Sequence, residues 1–135
     1  MTQDPYPVEQ PQYGAPVTPQ ISPQAERTWG TISHVVPLAA MILSAGTLGF
    51  VASVILYVMY KDKGPFVRAH AANSLNVQII TGIVLLISIP LMLVIIGFFT
   101  FGLALLFAFV MHVIGAVKAN NGEWWDPPLT PKFIR

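Results

Sequence analysis

Charge is absent from two long stretches of the sequence, and this constrains the fold more than any other feature. No Asp, Glu, Lys or Arg occurs in residues 28–60 or in residues 69–117. The hydrocarbon core of a bilayer is about 30 Å thick and takes about 20 helical residues to cross. Only 10% of the chain is charged, against about 25% in a typical soluble domain. The sequence therefore predicts an all-α integral membrane protein.

The lengths of the two stretches set the number of helices. The first is too long for one comfortable span, and Gly46 and Gly49 lie in its middle, where each weakens a helix by about 1 kcal/mol relative to Ala. We expect helices over about 28–43 and 48–60; the alternative is one long, tilted span. The second stretch predicts helices over about 66–96 and 101–119. The expected fold is thus a bundle of four membrane helices, with three spans as the alternative.

Proline and glycine set the details of the second stretch. Pro90 lies inside the predicted third helix, where it removes one backbone donor and should produce a kink. Two glycines, Gly97 and Gly102, bracket a short segment without charge. Because glycine is common in turns, we expect the turn between the last two helices over residues 97–102.

The two ends of the chain differ from the helical domain. Residues 1–27 carry six prolines and five glutamines without an apolar repeat, and such a segment is predicted to be a disordered tail. Residues 28–119 form the predicted transmembrane helical domain. Residues 120–135 form a predicted interfacial tail, because the paired Trp124 and Trp125 suit the headgroup layer.

Basic residues near the predicted spans indicate the orientation. They occur in the central turn and in the C-terminal flank, and the turn between the last two helices has none: Lys61, Lys63, Arg68, Lys118, Lys132 and Arg135. Basic flanks stay in the cytoplasm. The prediction is a multi-pass protein of the cell membrane with cytoplasmic N- and C-termini; a single first span would place the N-terminal tail outside.

A polar face begins the predicted third helix. At 100° per residue its members fall within about 140° of one another: His70, Asn73, Ser74, Gln78 and Thr81. Polar groups at membrane depth need partners, so this face should meet other helices or water. One interpretation is interhelical hydrogen bonding; the other is a polar path or a groove that binds a partner.

A stripe of small residues runs along the predicted last helix. It consists of Ala104, Ala108, His112 and Gly115, and it continues to Ala119. Small residues let helix backbones approach closely. The stripe predicts helix packing within the chain, and the alternative is a homo-oligomer formed through this helix.

Signals for enzymatic chemistry are missing from the sequence. The helices carry no paired carboxylates, the chain has no Cys, and no nucleophile or phosphate-loop motif occurs. Three histidines could hold zinc in principle, but His34, His70 and His112 show no HxxxH spacing. We expect no catalytic residue, metal or cofactor. A net charge of +1 argues against nucleic acid, which leaves the bilayer, other proteins and a second copy as partners.

The central polar segment also carries a resemblance. It reads Lys61-Asp-Lys-Gly-Pro-Phe-Val-Arg-Ala-His70 and continues Ala-Ala-Asn-Ser-Leu-Asn-Val-Gln, with Ser33-His34 before it and Asn121-Gly122 and Pro128-Leu-Thr after it. Over about residues 29–135 this order resembles the family known as domain of unknown function 4870. That family is distantly similar to the membrane component of the chloroplast inner-envelope protein translocon. Val77 departs from it, since a typical member has an aromatic residue there.

The resemblance supplies no catalytic residue. It implies a small multi-pass membrane protein of uncharacterised role. From it and from the residues, we expect a non-enzymatic scaffold or accessory subunit of a membrane complex. The alternative is a transport or protein-translocation component that uses the polar face of the third helix.

Overall fold

The computed structural model describes residues 17–135 and contains four α-helices. They are α1 (Pro23–Leu43), α2 (Leu48–Tyr60), α3 (Pro65–Leu91) and α4 (Ile96–Asn120), with one 3-10 turn (Met92–Val94) between the last two. The described residues contain no strand. The prediction of an all-α, four-helix protein is confirmed. The alternative prediction of one continuous helix over the first apolar stretch is wrong, because α1 ends at Leu43 and α2 begins at Leu48. The predicted disorder of residues 1–16 lies outside the described part.

The helices form a bundle with an inner pair. Helices α1 and α3 each pack against all three of the others, whereas α2 and α4 make no contact with each other in the described chain. The Gln20 amide donates to the Lys63 carbonyl, and the Arg27 side chain donates to the Asn120 carbonyl. These bonds bring the start of α1, the α2–α3 turn and the end of α4 together.

The two ends of the bundle therefore differ in chemistry. We call the end with the start of α1 the polar end, because it carries the charged side chains of the helices and of the α2–α3 turn. These are Glu26, Arg27, Lys61, Asp62, Lys63, Arg68 and Lys118. The other end, which we call the apolar end, holds the α1–α2 and α3–α4 turns.

The outer surface of the bundle is apolar. Leu86 is 69% exposed, Phe99 71% and Leu103 64%, and a continuous apolar surface of this kind suits contact with lipid. Two helical segments, Pro65–Val94 and Ile96–Asn120, are long and apolar enough to cross a membrane. Helix α2 is apolar but only 13 residues long.

Helix α1 begins five residues before the predicted start at residue 28. Ser22 is its N-cap, and the Ser22 hydroxyl accepts a hydrogen bond from the Ala25 amide at 3.1 Å. Pro23 follows at a position where proline is well tolerated. Residues 23–27, which were predicted to belong to the tail, are thus the first residues of α1. The proline-rich composition of the tail obscured a genuine helix start.

A buried carboxylate caps the inner helix α3. One oxygen of Glu26, in the first turn of α1, accepts hydrogen bonds from the amides of Phe66 at 2.8 Å and Val67 at 3.0 Å. The Glu26 side chain is 0% exposed. A Cβ added at Gly64 would overlap this carboxylate. The first amides of a helix lack partners within the helix and favour negative charge, so Gly64 leaves the space that the cap fills.

The predicted turn over residues 97–102 is wrong, because it lies inside α4. The chain turns instead over residues 92–95, where Ile95 has a φ of +70°. Pro90 does not kink a continuing helix; the α-helical part of α3 ends one residue later, at Leu91. A Cβ at Gly97 would collide with the Ser88 carbonyl and the Met92 amide. Gly97 thus allows a close approach of α4 to α3. In the sequence, a glycine that serves close packing looks the same as a glycine that serves a turn.

Replacing Glu26 by Ala should destabilise the protein, because it leaves buried amides of α3 without their acceptor. We expect a loss of about 2–3 kcal/mol in the free energy of unfolding, measured by denaturation in detergent. Asp62→Asn is the control. Asp62 is exposed and paired with Lys61, whose hydrogen bond lowers the pKa of Asp62. Exposed ion pairs contribute little to the free energy of unfolding. Equal losses of that free energy in both variants would therefore contradict the capping role of Glu26.

Candidate functional site

The N-terminal half of α3 is the most completely buried part of the described chain. Between Phe66 and Gln78 every residue is buried except Arg68, which is half-buried. The five residues of the predicted polar face are all at most 2% exposed: His70, Asn73, Ser74, Gln78 and Thr81. The structure therefore brings the whole face into the interior, where polar groups need hydrogen-bond partners.

The C-terminal segment, residues 121–135, supplies several of those partners through its backbone. The Asn76 side chain donates to the Ile134 carbonyl and accepts from the Ile134 amide, both at 2.8 Å. The Asn73 side chain donates to the Trp125 carbonyl. The predicted interfacial tail thus packs onto α3. Asn76 was missing from the predicted face, although its spacing of three residues from Asn73 could have indicated it.

Three histidines form a linear arrangement inside the bundle, which we call the imidazole chain. Nε2 of His34 on α1 lies 3.3 Å from Nδ1 of His70 on α3. Nδ1 of His34 lies 3.4 Å from Nδ1 of His112 on α4. All three side chains are 0% exposed. The sequence offered these residues separately, and the structure joins them.

Each end of the imidazole chain meets a neutral polar group. Nε2 of His70 lies 2.9 Å from the Glu123 carbonyl oxygen in the C-terminal segment. Nε2 of His112 lies 2.8 Å from the side-chain nitrogen of Gln78. The chain therefore runs from the polar end of the bundle to Gln78, deeper in the interior.

The two ends fix which nitrogens carry hydrogen. A carbonyl only accepts, so Nε2 of His70 donates to Glu123, and its Nδ1 must accept from Nε2 of His34. Nδ1 of His34 then accepts from Nδ1 of His112, whose Nε2 accepts from the Gln78 amide. With three neutral rings this single arrangement satisfies every ring nitrogen.

The imidazole chain does not have the shape of a metal site. His34 presents one ring nitrogen to His70 and the other to His112, so the three rings do not converge on one point. Among residues 17–135, no group of three His, Cys, Asp or Glu side chains is placed to hold a metal ion.

The remaining predicted residues pack within the bundle. The Ser74 hydroxyl lies 3.1 Å from the Ser53 hydroxyl on α2. The Thr81 hydroxyl is buried and has no partner within the described chain. The stripe Ala104, Ala108, His112 and Gly115 is buried, and a Cβ at Gly115 would overlap the His34 ring. The stripe thus serves the packing of α1 on α4, and an oligomer would have to use another surface.

The acidic residues of the C-terminal segment pair with basic ones. Glu123 forms an ion pair with Lys118, and the hydrogen bond from Lys118 lowers the pKa of Glu123. Oδ2 of Asp126 lies 2.9 Å from Nζ of Lys132. These pairs are partly exposed, so they do not form a buried pair of carboxylates of the kind that acid–base catalysis uses.

Comparison with known families assigns the chain. The family model of the magnetosome magnetite crystal formation proteins, MamF/MmsF, matches residues 25–134. This span covers all four helices and most of the C-terminal segment. The chain belongs to the MamF/MmsF family. No curated protein and no solved structure matches the chain.

The expected resemblance to domain of unknown function 4870 is wrong, and with it the distant link to the chloroplast translocon. The matching family is MamF/MmsF. The residues of the segment that suggested the resemblance make structural contacts in this fold. Gly64 leaves room for the Glu26 carboxylate. The side chains of His70, Asn73 and Asn76 hydrogen-bond to the C-terminal segment.

Replacing Asn76 by Ala should loosen the C-terminal segment, because two hydrogen bonds to Ile134 are lost. We expect a loss of about 1–3 kcal/mol in stability and faster amide exchange at Ile134. Asn121→Ala is the matched control, since Asn121 is exposed and its side chain bonds only within the segment. Unchanged exchange at Ile134 in Asn76→Ala would contradict this docking.

Proposed function

We propose that this protein is a non-enzymatic accessory protein of the membrane in which magnetite crystals form. The observation that carries the proposal is the family match across the entire helical bundle. The apolar exterior of the bundle supports a place in a membrane. The interior supports an accessory role, because its polar groups are engaged with one another rather than arranged around a substrate.

The same interior disfavours the alternative of a transport or translocation component. The polar face of α3 is covered by α1, α2, α4 and the C-terminal segment. A solute or polypeptide would need an open path along this face, and its side chains are buried. We therefore place the role of the protein at its exposed surfaces, in contact with lipid and with other membrane proteins.

We further propose that the polar end faces the cytoplasm. It carries five of the seven Lys and Arg of the chain, Arg27, Lys61, Lys63, Arg68 and Lys118, and basic residues are retained on the cytoplasmic side. The apolar end would then face the mineral compartment. It exposes large apolar side chains, with Leu43 at 88% and Leu93 at 89% exposure. Such a surface does not ligate iron ions, which favours an effect on the crystal through the membrane.

Cysteine labelling tests this orientation. Thr18 precedes α1 at the polar end, and Thr130 is an intermediate-exposure residue of the C-terminal segment, so Thr18→Cys and Thr130→Cys should both resist an impermeant maleimide in intact cells if that segment lies on the cytoplasmic side. Both should react after the inner membrane is opened. Labelling of either position in intact cells would contradict the proposed orientation.

Deletion of the gene tests the role itself. In a magnetite-forming host, we expect crystals of altered size or number by electron microscopy. We expect restoration by the wild-type chain and by Asn121→Ala, and weaker restoration by Glu26→Ala because less folded protein accumulates. The protein should fractionate with the crystal-enclosing membrane. Unaltered crystals in the deletion strain would contradict the proposal.

A further inference from the structure

We propose that the imidazole chain is a binding site for one proton, which His34, His70 and His112 share. When the proton binds, the side-chain amide of Gln78 reverses its orientation. The inference starts from the hydrogen-bond geometry alone and does not depend on the proposed function. It assigns a ligand, the proton, to a buried group of residues that no catalytic or metal-binding role uses.

Counting hydrogens shows why the site takes one proton. The three rings have six nitrogens, and four of these face each other in two gaps of 3.3 and 3.4 Å. Each gap holds one hydrogen, because two hydrogens in a gap would repel and none would leave two lone pairs opposed. Each outer nitrogen, on His70 and on His112, holds at most one. The chain thus holds at most four hydrogens, and three neutral rings already carry three.

The fourth hydrogen belongs on His112, because Nε2 of His70 is already a donor to Glu123. When Nε2 of His112 gains a hydrogen, it can no longer accept from the Gln78 nitrogen. The Gln78 amide must then turn over and accept through its oxygen, which preserves the bond. Every hydrogen bond between the rings and at the two ends of the chain survives protonation in this way, while the weak bond from the Gln78 nitrogen to Sδ of Met41, at 3.8 Å, is given up. The orientation of one glutamine amide therefore reports whether the proton is bound.

The excess proton moves between rings without breaking the chain. From His112, the Nδ1 hydrogen crosses to Nδ1 of His34, which becomes the cation while His112 becomes neutral. The Nε2 hydrogen of His34 then crosses to Nδ1 of His70. In each step one N–H bond breaks, one forms, and the positive charge moves by one ring. The proton is thus shared from Gln78 to the Glu123 carbonyl.

The charged groups near the chain have partners of their own, although Asp126 also acts electrostatically on His70. On α1, Glu26 binds the amides of α3 and Arg27 binds the Asn120 carbonyl. Those facing from α4 and the C-terminal segment form two ion pairs: Lys118 with Glu123, and Lys132 with Asp126. Helix α2 contributes the hydroxyl of Ser53 to this region. No carboxylate hydrogen-bonds to a ring nitrogen within residues 17–135, so the ring nitrogens bond only to one another, to the Glu123 carbonyl and to Gln78.

The surroundings of Gln78 permit the amide to turn. Gln78 borders a cleft of about 510 Å³ between α2 and α3. On its other side it lies against Gly49, where a Cβ would come within 2.8 Å of the amide nitrogen and oxygen alike. Gly49 therefore leaves equal room for either end of the amide. A larger residue would hold it in place.

A titration of the histidine nitrogens tests the proposal in the wild-type protein. We would label histidine with nitrogen-15, place the protein in lipid nanodiscs, and follow the six ring nitrogens by NMR as the pH falls. We expect all three rings to change with one common midpoint and a total uptake of one proton while the fold persists. Three independent midpoints, uptake of more than one proton, or no change before unfolding would each overturn the proposal.

A pair of variants tests the role of Gln78. The side chain of Gln78→Glu has nearly the same shape, but its carboxylate only accepts hydrogen bonds. It should therefore stabilise the fourth hydrogen on Nε2 of His112 and move the common midpoint to higher pH by at least one unit. The control is Ser74→Ala, on the same helix and bonded to Ser53 outside the chain, which should leave the midpoint unchanged. Equal midpoints in Gln78→Glu and wild type would overturn the assignment. If Gln78→Glu does not fold, the wild-type titration decides alone.

Discussion

The need to pair polar groups in a water-poor interior governs this structure. An unpaired buried donor or acceptor costs about 1–3 kcal/mol, and the penalty rises where no water can substitute. Helix α3 concentrates such groups in its first half. Every other helix and the C-terminal segment contribute partners to that half, and the bundle is arranged around it.

The partners come from distant parts of the sequence. Glu26 at the start of α1 caps α3, His34 and His112 extend from His70, and the backbone of Ile134 closes on Asn76. Each bond satisfies α3 and also fixes another element in place. One helix thus determines how the first and last helices meet, which explains why α1 and α3 form the inner pair. The hydroxyl of Thr81 is an exception, since it lies buried without a hydrogen-bond partner in the described chain.

The sequence predicted the helices well because the signals for them are local. Charge-free stretches, the glycines after Leu43 and the Gly-Pro pair before α3 are read directly from the chain, and so is the polar face of α3. The start of α1 was missed because its cap, Ser22, stands among prolines. The α3–α4 turn was misplaced because Gly97 signals both turns and close packing.

The partners of the polar face could not be predicted in the same way. Nothing local links Glu26 to Phe66, or Ile134 to Asn76, because these contacts depend on how the helices pack. The imidazole chain is the clearest case: in the sequence the three histidines are considered together only as a zinc site, and packing alone shows that their rings contact one another in a line. The family also required comparison, since the conspicuous central segment is shaped by structural demands.

The docking of the C-terminal segment has a consequence for synthesis. Residues 121–135 are made after α3, yet they supply the acceptors for His70, Asn73 and Asn76. While the ribosome still holds this segment, α3 cannot bury these side chains at low cost. The half-made protein should therefore keep the start of α3 near the wet surface of the membrane. Closure of the bundle around α3 then follows the synthesis of residues 121–135 rather than that of the last helix.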